Sequence, residues 1–350
     1  MIESKIFKNE EVLSPEYLPD FLPHREDKIK QIAENLLPAA QKRTPQNTFI
    51  FGPPGTGKTA CTKFVFKKFE EYSGIKTIYI NCWDYKTITA ILSKISSELG
   101  AFAQRRGISK DEILERVVEI CNKLNKGLIV CLDEVDQLVF HDDSALYDLL
   151  RLNQYVKISV GYVFISNKQF VFSNVDERVK SSLNVEEIEF KPYSLLEMKD
   201  ILEERAKLAF TSFESAAILL AANHATQNGG DVRVGLECLM KAGKQAEREK
   251  SNKLLVSHVK AILQTVKPLK PEILKERLNW DEKTILQILE EKRRIFTDEL
   301  YSEYCKRIEY PVGERRFRDF LRHLGEVGLI RILRRKRGVV GGKRIVIKAG

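Results

Sequence analysis

Features that mark membrane and secreted proteins are missing from this sequence of 350 residues. Its longest apolar run, Ala216–Ala222, has about a third of the length that a membrane-spanning helix needs. The first residues, Met1–Lys5, lack the basic and then apolar layout of a secretory signal. We therefore expect a protein of the cytoplasm that has no membrane partner.

Cysteine is also scarce, with six residues and no Cys-x-x-Cys pair. Scattered cysteines form neither a disulfide framework nor the ligand spacing of a zinc site. We expect reduced and mostly packed thiols, and no structural zinc.

Positive charge is concentrated at one end of the chain. The formal net charge is +9, and residues 311–350 contain twelve Lys or Arg against three acidic residues. This segment accounts for the whole excess, so the remaining chain is close to neutral. A basic excess confined to one end is typical of a module that binds a polyanion.

The most informative stretch is a glycine-rich loop between an apolar run and a helix-compatible run. It follows the pattern G-x-x-x-x-G-K-T of a phosphate-binding loop. Its glycines let the backbone N–H groups turn towards a polyanion, its lysine adds a charge for the β- and γ-phosphates, and its threonine hydroxyl can bind Mg²⁺. The residues expected to bind ATP or ADP are Gly52, Pro53, Pro54, Gly55, Thr56, Gly57, Lys58, Thr59 and Ala60, with Thr59 also a magnesium ligand.

A second motif follows the apolar run Leu128–Leu132, which ends in the acidic pair Asp133 and Glu134. A buried strand that ends in two carboxylates is the Walker B arrangement. We expect Asp133 to bind Mg²⁺ and Glu134 to polarise the attacking water. Asn167 follows the next apolar run and can orient that water, although an Asn at this point is by itself more typical of an ordinary turn.

Strand and helix patterns alternate in the first half of the chain, after an extended lead-in over residues 1–20. This alternation predicts an α/β domain with a parallel sheet covered on both faces. From residue 195 to 265 the pattern is helical throughout, which predicts a bundle beside the sheet. The predicted strands are Thr48–Phe51, Thr77–Ile80, Gly127–Leu132, Val160–Ser166 and Val185–Phe190.

Residues 81–126 read as an insertion that a minimal phosphate-loop fold does not need. Two helical patterns, Thr87–Leu99 and Lys110–Leu124, are joined there by a loop that contains Arg105 and Arg106. The two arginines either lie on a solvated loop or contact nucleic acid, and the sequence favours neither interpretation.

The basic end of the chain has the layout of a winged helix, a variant of the helix-turn-helix fold. Three helical patterns precede two strands around a basic, glycine-bearing turn. In the third helix Phe317, Phe320, Leu321 and Leu324 share one face and are predicted to enter the core. The residues expected to contact DNA are Arg315, Arg316, Arg318 and Arg322 in this helix and Arg334, Arg335, Lys336, Arg337, Lys343 and Arg344 in the turn.

Together these features resemble the AAA+ initiators of archaeal chromosome replication, relatives of origin recognition complex subunit one and cell division control protein six. The most specific matches are Asp176–Leu183, Gly229–Arg233 and Glu314–Leu321. The resemblance runs from Asp20 to the end of the chain. It implies an AAA+ P-loop NTPase domain over 1–192 that contains the helical insertion 81–126, a helical lid domain over 193–268 and a winged-helix DNA-binding domain over 269–350.

The resemblance also implies roles for single residues. Arg178 matches the arginine finger, which meets the γ-phosphate bound by a neighbouring subunit. Arg233 matches the sensor-two arginine, which couples the lid to the nucleotide state, and Asn167 matches sensor one. By residue type alone, either arginine would equally fit a surface salt bridge. The residues that would flank the adenine are Leu22, Pro23, His24 and Arg25.

One departure from the family pattern follows Arg233. The family continues with Arg or Lys and then Ala, whereas this chain has Val234 and Gly235. We expect either a more loosely packed lid or weaker control by nucleotide.

The implied function is that of a chromosome-associated initiator that binds origin duplex DNA and recruits or loads the replicative helicase. Other initiator paralogues are further expected partners on DNA, and slow ATP hydrolysis would act as a switch. Two alternatives stay open. One is a DNA-binding regulatory paralogue that uses nucleotide structurally; the other is a branch-migration motor, against which the long insertion argues.

Overall fold

The computed structural model divides the chain into two compact units, residues 1–266 and 267–350. The residues that it describes are 6–100, 109–124, 126–142, 144–263, 278, 280–292, 294–308, 311–326, 329–333 and 345–348. Several residues expected to contact DNA lie outside them, namely Arg105, Arg106, Arg334, Arg335, Lys336, Arg337, Lys343 and Arg344.

The first unit contains a five-stranded parallel sheet. Its strands are β1 Asn47–Phe51, β2 Lys76–Asn81, β3 Leu128–Asp133, β4 Val160–Ser166 and β5 Val185–Glu189. They lie in the order β2-β3-β4-β1-β5. Strands β3 and β4 are buried along their whole length, as parallel strands with both faces covered must be. The predicted parallel sheet is confirmed.

Helices cover both faces of this sheet because the side chains of each strand alternate between two cores. Phe49 and Phe51 of β1 belong to one core, and Ile50 belongs to the other. The helices around the sheet are α1 Glu26–Ala40, α2 Lys58–Ser73, α3 Ile88–Glu98, α4 Lys110–Lys123, α5 Val135–His141, α6 Ser144–Leu150, α7 Leu152–Tyr155 and α8 Glu177–Leu183, with a 3-10 turn at Val171–Asn174.

Helices α3 and α4 lie within residues 81–126 and both pack in the sheet domain, and the initiator-type helical insertion stays a prediction. Strands β2 and β3 are parallel neighbours, with Lys76 opposite Leu128. Such a pair requires a crossover connection, usually through a helix. Ile91 of α3 and Val117 of α4 are fully buried in a core of the sheet. Both helices are therefore part of the sheet domain.

The lid is a bundle of four helices with its own core: α9 Leu195–Ala209, α10 Ser215–Gln227, α11 Val232–Arg248 and α12 Val256–Ile262. Helix α11 approaches α9 closely at Gly235, where an added Cβ would lie 2.7 Å from Leu202 Cδ1. Val234 is buried in the same core. The missing side chain of Gly235 lets the two helices pack together, so the lid is not loosened at this contact, whereas weaker control by nucleotide stays a prediction.

The N-terminal lead-in is not simply extended, since it contains a 3-10 helix at Glu10–Leu13. Ile6, Val12 and Leu13 are buried in the lid core. Arg205 of α9 donates a hydrogen bond to the carbonyl oxygen of Val12 at 2.9 Å. A segment this short has little stability by itself, so its packing makes it part of the lid.

The second unit has three described helices, α13 Trp280–Lys292, α14 Thr297–Arg307 and α15 Glu314–Glu326. Strands β6 Arg294–Phe296, β7 Ile330–Leu333 and β8 Ile345–Lys348 form an antiparallel sheet in the order β6-β8-β7. The predicted inner face of α15 is confirmed, because Phe317, Phe320, Leu321 and Leu324 are all buried. The turn between β7 and β8 lies outside the described residues, so the winged helix stays a prediction.

The thiols are packed as expected: five of the six cysteines are buried, and all six are unpaired. Among the residues that the structure describes, no helix has the length and apolarity that a membrane crossing requires.

Candidate nucleotide-binding site

The phosphate-binding loop connects β1 to α2 and has a backbone that glycine alone adopts easily. Gly52, Gly55 and Gly57 have φ angles of 148°, 72° and 88°. A Cβ on Gly52 would lie 2.1 Å from the carbonyl oxygen of Phe190. Helix α2 begins at Lys58, so its first N–H groups and its positive end lie at the loop. This arrangement suits an anion.

Lys58 lies inside this loop and is almost fully buried. Its Nζ donates to the carbonyl oxygens of Gly52 and Pro53 at 2.7 and 2.8 Å and to Asn167 Oδ1 at 2.9 Å. All three acceptors are neutral. Burial lowers the pKa of Lys58 to about 8, and the charge of Glu134 partly opposes this shift. A buried ammonium group with neutral partners is well suited to receive phosphate oxygens.

Asp133 is held at the end of β3 by bonds from three directions. Thr59 Oγ1 and the Tyr79 hydroxyl each donate to its Oδ2 at 2.7 Å, and the Glu134 N–H donates to Oδ1 at 2.8 Å. The hydroxyl oxygen of Thr59 and the carboxylate of Asp133 are hard donors side by side, which fits Mg²⁺. Tyr79 is a site residue that the sequence did not reveal, because it reaches Asp133 from the neighbouring strand β2.

Glu134 and Asn167 lie next to Lys58 at the same edge of the sheet. The Asn167 Nδ2 is 3.3 Å from Glu134 Oε2. Glu134 has a φ of 54°, a left-handed conformation that is uncommon for a residue with a side chain. Burial raises the pKa of Glu134 to about 7, and the charges of Asp136 and Asp133 add to the shift. A carboxyl group that titrates near neutrality is suited to accept a proton from water.

The lid also reaches this site, through the start of α11. The Val232 N–H donates to the carbonyl oxygen of Gly55 at 3.3 Å. Arg233 donates from Nε and NH2 to the carboxylate of Asp231 at 2.9 and 2.6 Å. The bonds to Asp231 raise the pKa of Arg233, and the charge of Glu134 adds to the effect. The lid arginine therefore lies within the electrostatic reach of the Walker B carboxylates.

The segment expected to flank the adenine joins the phosphate-binding loop to the lid. Arg25 is buried, and its side chain donates to the carbonyl oxygens of Thr56 and Lys191 at 3.1 and 2.9 Å. Its guanidinium carbon lies 3.7 Å from the ring centroid of Tyr193. His24 Nε2 is 3.0 Å from Asp200 Oδ2 on α9. Arg25 thus connects the phosphate-binding loop of the sheet domain to Tyr193 in the lid core.

The other two residues of that segment lie beside Arg25. Leu22 packs against the core between the sheet, α1 and α2, and Pro23 is in the turn that follows. Contact of Leu22, Pro23, His24 and Arg25 with adenine stays a prediction.

Arg178 lies near the start of α8, with its side chain 77% exposed. Its Nε and NH2 donate to the carboxylate of Asp176 at 3.0 and 3.2 Å, and its guanidinium carbon lies 5.9 Å from the ring centroid of Tyr147. An exposed arginine in these contacts is available to another molecule.

The second unit carries the remaining site residues that the structure describes. Arg315, Arg316, Arg318 and Arg322 are exposed on α15. Arg318 pairs with Glu314 at 2.6 Å, one turn away on the same helix. Exposed arginines opposite a buried apolar face form a basic surface on this helix.

Two known protein families match parts of the chain. An AAA domain matches residues 41–170, and a Cdc6 AAA+ ATPase-type lid domain matches residues 199–262.

Individual relatives match far more of the chain. The ORC1-type DNA replication protein 1 of Sulfurisphaera tokodaii is 38% identical, over 93% of this chain and 86% of that protein. The protein of the same name from Archaeoglobus fulgidus is 34% identical, over 97% of this chain and 87% of that protein. The structure is similar to that of the Aeropyrum pernix ORC1 protein in complex with DNA, with a TM-score of 0.79, 31% identity, and coverage of 99% of this chain and 95% of that one.

Proposed function

The chain belongs to the family of ORC1-type DNA replication proteins, and on that basis we propose that it is an ATP-dependent replication initiator. It binds origin duplex DNA and recruits or loads the replicative helicase, with other initiator paralogues as further partners on DNA. The observation that carries the proposal is the extent of the similarity to the Aeropyrum pernix protein, which was solved with DNA. That similarity extends over 99% of this chain.

The nucleotide-binding AAA domain supplies groups that would bind the phosphates, hold Mg²⁺ and activate the attacking water. The N–H groups of the phosphate-binding loop and the Lys58 ammonium bind phosphate oxygens. Glu134 accepts a proton from the attacking water, and Asn167 orients it. Thr59 and Asp133 would hold Mg²⁺, which when bound offsets the negative charge of the phosphates.

Two arginines support hydrolysis as a switch rather than as a motor. Arg178 is exposed and held by Asp176, so its guanidinium can reach the nucleotide that is bound by a neighbouring copy of the chain. An isolated chain, which lacks this neighbour, would hydrolyse ATP slowly. Arg233 connects the nucleotide site to α11 of the lid. A change at the terminal phosphate is therefore transmitted to the lid.

The second unit supplies DNA affinity through the predicted winged helix. Twelve Lys or Arg are found within residues 311–350, and four exposed arginines lie on α15. Phosphate contacts of this kind provide much of the binding free energy and make it depend on salt. The same contacts would keep the protein associated with the chromosome.

The proposal is tested by chromatin immunoprecipitation in the source organism. We expect enrichment at one or a few discrete chromosomal sites for the natural chain. The paired change Arg315→Gln and Arg318→Gln should reduce it, whereas Lys283→Gln, which removes an exposed charge from α13, should not. Enrichment spread evenly along the chromosome would contradict origin binding.

Helicase recruitment is tested separately with purified components. The enriched DNA and a random duplex of equal length are immobilised with the chain and ATP, and the retained helicase is measured. Retention on the origin fragment alone supports helicase recruitment. Equal retention on both duplexes contradicts it.

A further inference from the structure

Asp231, a lid residue just before α11, lies in direct contact with Gly55 of the phosphate-binding loop. A Cβ built on Gly55 would lie 1.9 Å from Asp231 Oδ1 and 2.6 Å from Asp231 Cα. Glycine is thus the only residue type at position 55 that leaves room for Asp231. The contact places a carboxylate directly against a loop whose ligand is a polyanion.

Both carboxylate oxygens of Asp231 accept hydrogen bonds from Arg233 at the start of α11. It accepts from the Arg233 N–H at 2.9 Å, which caps the helix, and from the Arg233 guanidinium at 2.6 to 3.1 Å. The side chain of Asp231 is 12% exposed, and that of Arg233 is 41% exposed. The pair is therefore a clamp with a buried acid and an arginine that solvent or a ligand can still reach.

The same clamp occurs a second time in the chain, at the start of α8. Asp176 accepts from the Arg178 N–H at 2.8 Å and from its guanidinium at 3.0 and 3.2 Å. Both elements place an Asp two residues before an Arg that is expected to meet a terminal phosphate. The difference is location: Asp176 is half exposed, whereas Asp231 touches the phosphate-binding loop.

A carboxylate at this position opposes the binding of a second anion unless Arg233 neutralises it. Two arrangements are then available to the guanidinium, one on Asp231 and one on a phosphate. Each is a charge-assisted fork of similar geometry. The exchange replaces one ion pair by another, but it leaves the carboxylate of Asp231 without its partner, and this cost opposes the movement of Arg233 to the phosphate.

We propose that Asp231 is a positioning residue that competes with the terminal phosphate of ATP for Arg233 and so sets how strongly the lid responds to that phosphate. This inference rests on the proposed function, since it takes ATP to bind at the loop. ADP lacks the terminal phosphate, so Arg233 stays on Asp231. ATP draws Arg233 away from Asp231, and the start of α11 moves with it.

The test separates the charge of Asp231 from its role as a helix cap. Asp231→Asn removes the charge, and Asn caps a helix as well as Asp does. Asp231→Ser, also a capping residue, serves as a second variant if the amide is not tolerated. Affinities for ADP and for a slowly hydrolysed ATP analogue are measured by calorimetry on the full-length chain, with the melting temperature as a check of folding.

We expect Asp231→Asn to increase the affinity for the ATP analogue about tenfold, because Arg233 then no longer has to give up an ion pair with residue 231 to reach the phosphate. ADP affinity should stay within about twofold. In the Arg233→Gln background the same change should alter analogue affinity by no more than about twofold. Asp176→Asn is the matched control, and it should leave both affinities of the isolated chain unchanged.

Two results would overturn the proposal. Equal tightening with and without Arg233 would mean that Asp231 repels phosphate directly. No tightening in a folded Asp231→Asn or Asp231→Ser chain would mean that Asp231 is only a cap. Failure of the proposed function is seen differently: the parent chain would bind no nucleotide, or Lys58→Ala would bind as tightly as the parent.

Discussion

Lys58, Asn167 and Glu134 form a short chain of contacts between a cation and an anion. The amide oxygen of Asn167 accepts from Lys58 at 2.9 Å, while its nitrogen lies 3.3 Å from Glu134. Burial moves the pKa of Lys58 down to about 8 and that of Glu134 up to about 7. Both groups thus titrate close to neutral pH, where each is required in its charged form.

The first prediction is a bell-shaped pH profile of kcat/KM for ATP hydrolysis. Glu134 must be a carboxylate, so activity should fall as the pH drops through about 7. Lys58 must be an ammonium, so activity should also fall as the pH rises through about 8. Steady-state kinetics between pH 5.5 and 9.5 check this, a range chosen to bracket both groups at about 1.5 units beyond each.

Glu134→Gln is the control for that profile. It should retain ATP binding and lose turnover at every pH, since Asp133 is unchanged. Turnover at the parent rate would show that Glu134 is not the activating residue.

The second prediction concerns Lys58→Ala, which should abolish or severely weaken nucleotide binding. The bonds from Lys58 to the carbonyl oxygens of Gly52 and Pro53 also hold the loop. A modest loss of stability, about 1 kcal/mol, should therefore accompany the loss of binding. Calorimetry and denaturant unfolding measure both effects.

Lys68→Ala, an exposed change on the same helix, is the matched control for Lys58→Ala and should leave both quantities unchanged. Unaltered nucleotide affinity in the Lys58→Ala chain would refute the assignment of the site.

The third prediction concerns Tyr79→Phe, which removes only the hydroxyl that donates to Asp133. Partners of a metal ligand set its orientation, and their loss typically weakens metal binding about 10- to 100-fold. We expect nucleotide binding to require about tenfold more Mg²⁺ while affinity without Mg²⁺ is unchanged. Titrations of a fluorescent nucleotide at several Mg²⁺ concentrations decide this. An unchanged Mg²⁺ requirement would give Tyr79 a packing role alone.

At the scale of single elements, helix α11 contacts two different parts of the molecule. Its first turn lies on the phosphate-binding loop, and its Gly235 lies against Leu202 of α9. Because a helix is stiff, a shift of its first turn also shifts the packing at Gly235. Under the proposed function, a change at the nucleotide would reach the core of the lid through this contact between α11 and α9.

The fourth prediction is that Gly235→Ala destabilises the lid. The new Cβ would lie 2.7 Å from Leu202 Cδ1, and overpacking of this kind typically costs about 1–3 kcal/mol. That cost should exceed the gain of about 1 kcal/mol that alanine brings to a helix. Urea unfolding measures the difference.

Glu237→Ala, at an exposed position of α11, is the control for Gly235→Ala and should change stability by less than about 0.5 kcal/mol. In a Leu202→Ala background Gly235→Ala should no longer destabilise, since the clashing atom is gone. Equal costs in both backgrounds would contradict the packing explanation.

At the scale of the whole molecule, two units each have a core of their own. In the described part of the second unit, Ile285, Tyr304 and Phe317 are buried in one core together with other residues of that unit. A core of this kind is what independent folding requires. We therefore expect the proposed nucleotide site and the basic surface to lie on parts of the chain that are each stable alone.

The fifth prediction is that a fragment of residues 267–350 folds alone and binds duplex DNA with a steep dependence on salt. Arg315→Gln should flatten the slope of log K against log salt by about one if the arginine binds a phosphate. If it reads a guanine, the loss should be about 1–3 kcal/mol at the cognate site and small on random DNA.

Lys283→Gln, on α13, removes an equal charge from the fragment and should change neither the salt slope nor the specificity. A folded fragment that has no DNA affinity at low salt would contradict the proposed role of the basic end.

The sequence alone was sufficient for the parts of this protein that depend on local chemistry. The phosphate-binding loop, the acidic end of β3 and the inner face of α15 were each visible as a pattern of neighbouring residues. Backbone curl, strand burial and helix periodicity are all local requirements, so a short stretch of chain records them.

The tertiary structure alone decided which distant residues meet. Tyr79 reaches Asp133 because β2 and β3 are neighbours in the sheet, and Asp231 reaches Gly55 because the first turn of α11 lies against the phosphate-binding loop. The same holds for the lead-in that completes the lid core and for Gly235, whose missing side chain leaves room for Leu202 of α9. A sequence pattern records the needs of one segment, whereas such contacts depend on strand order and helix approach, which many segments settle together.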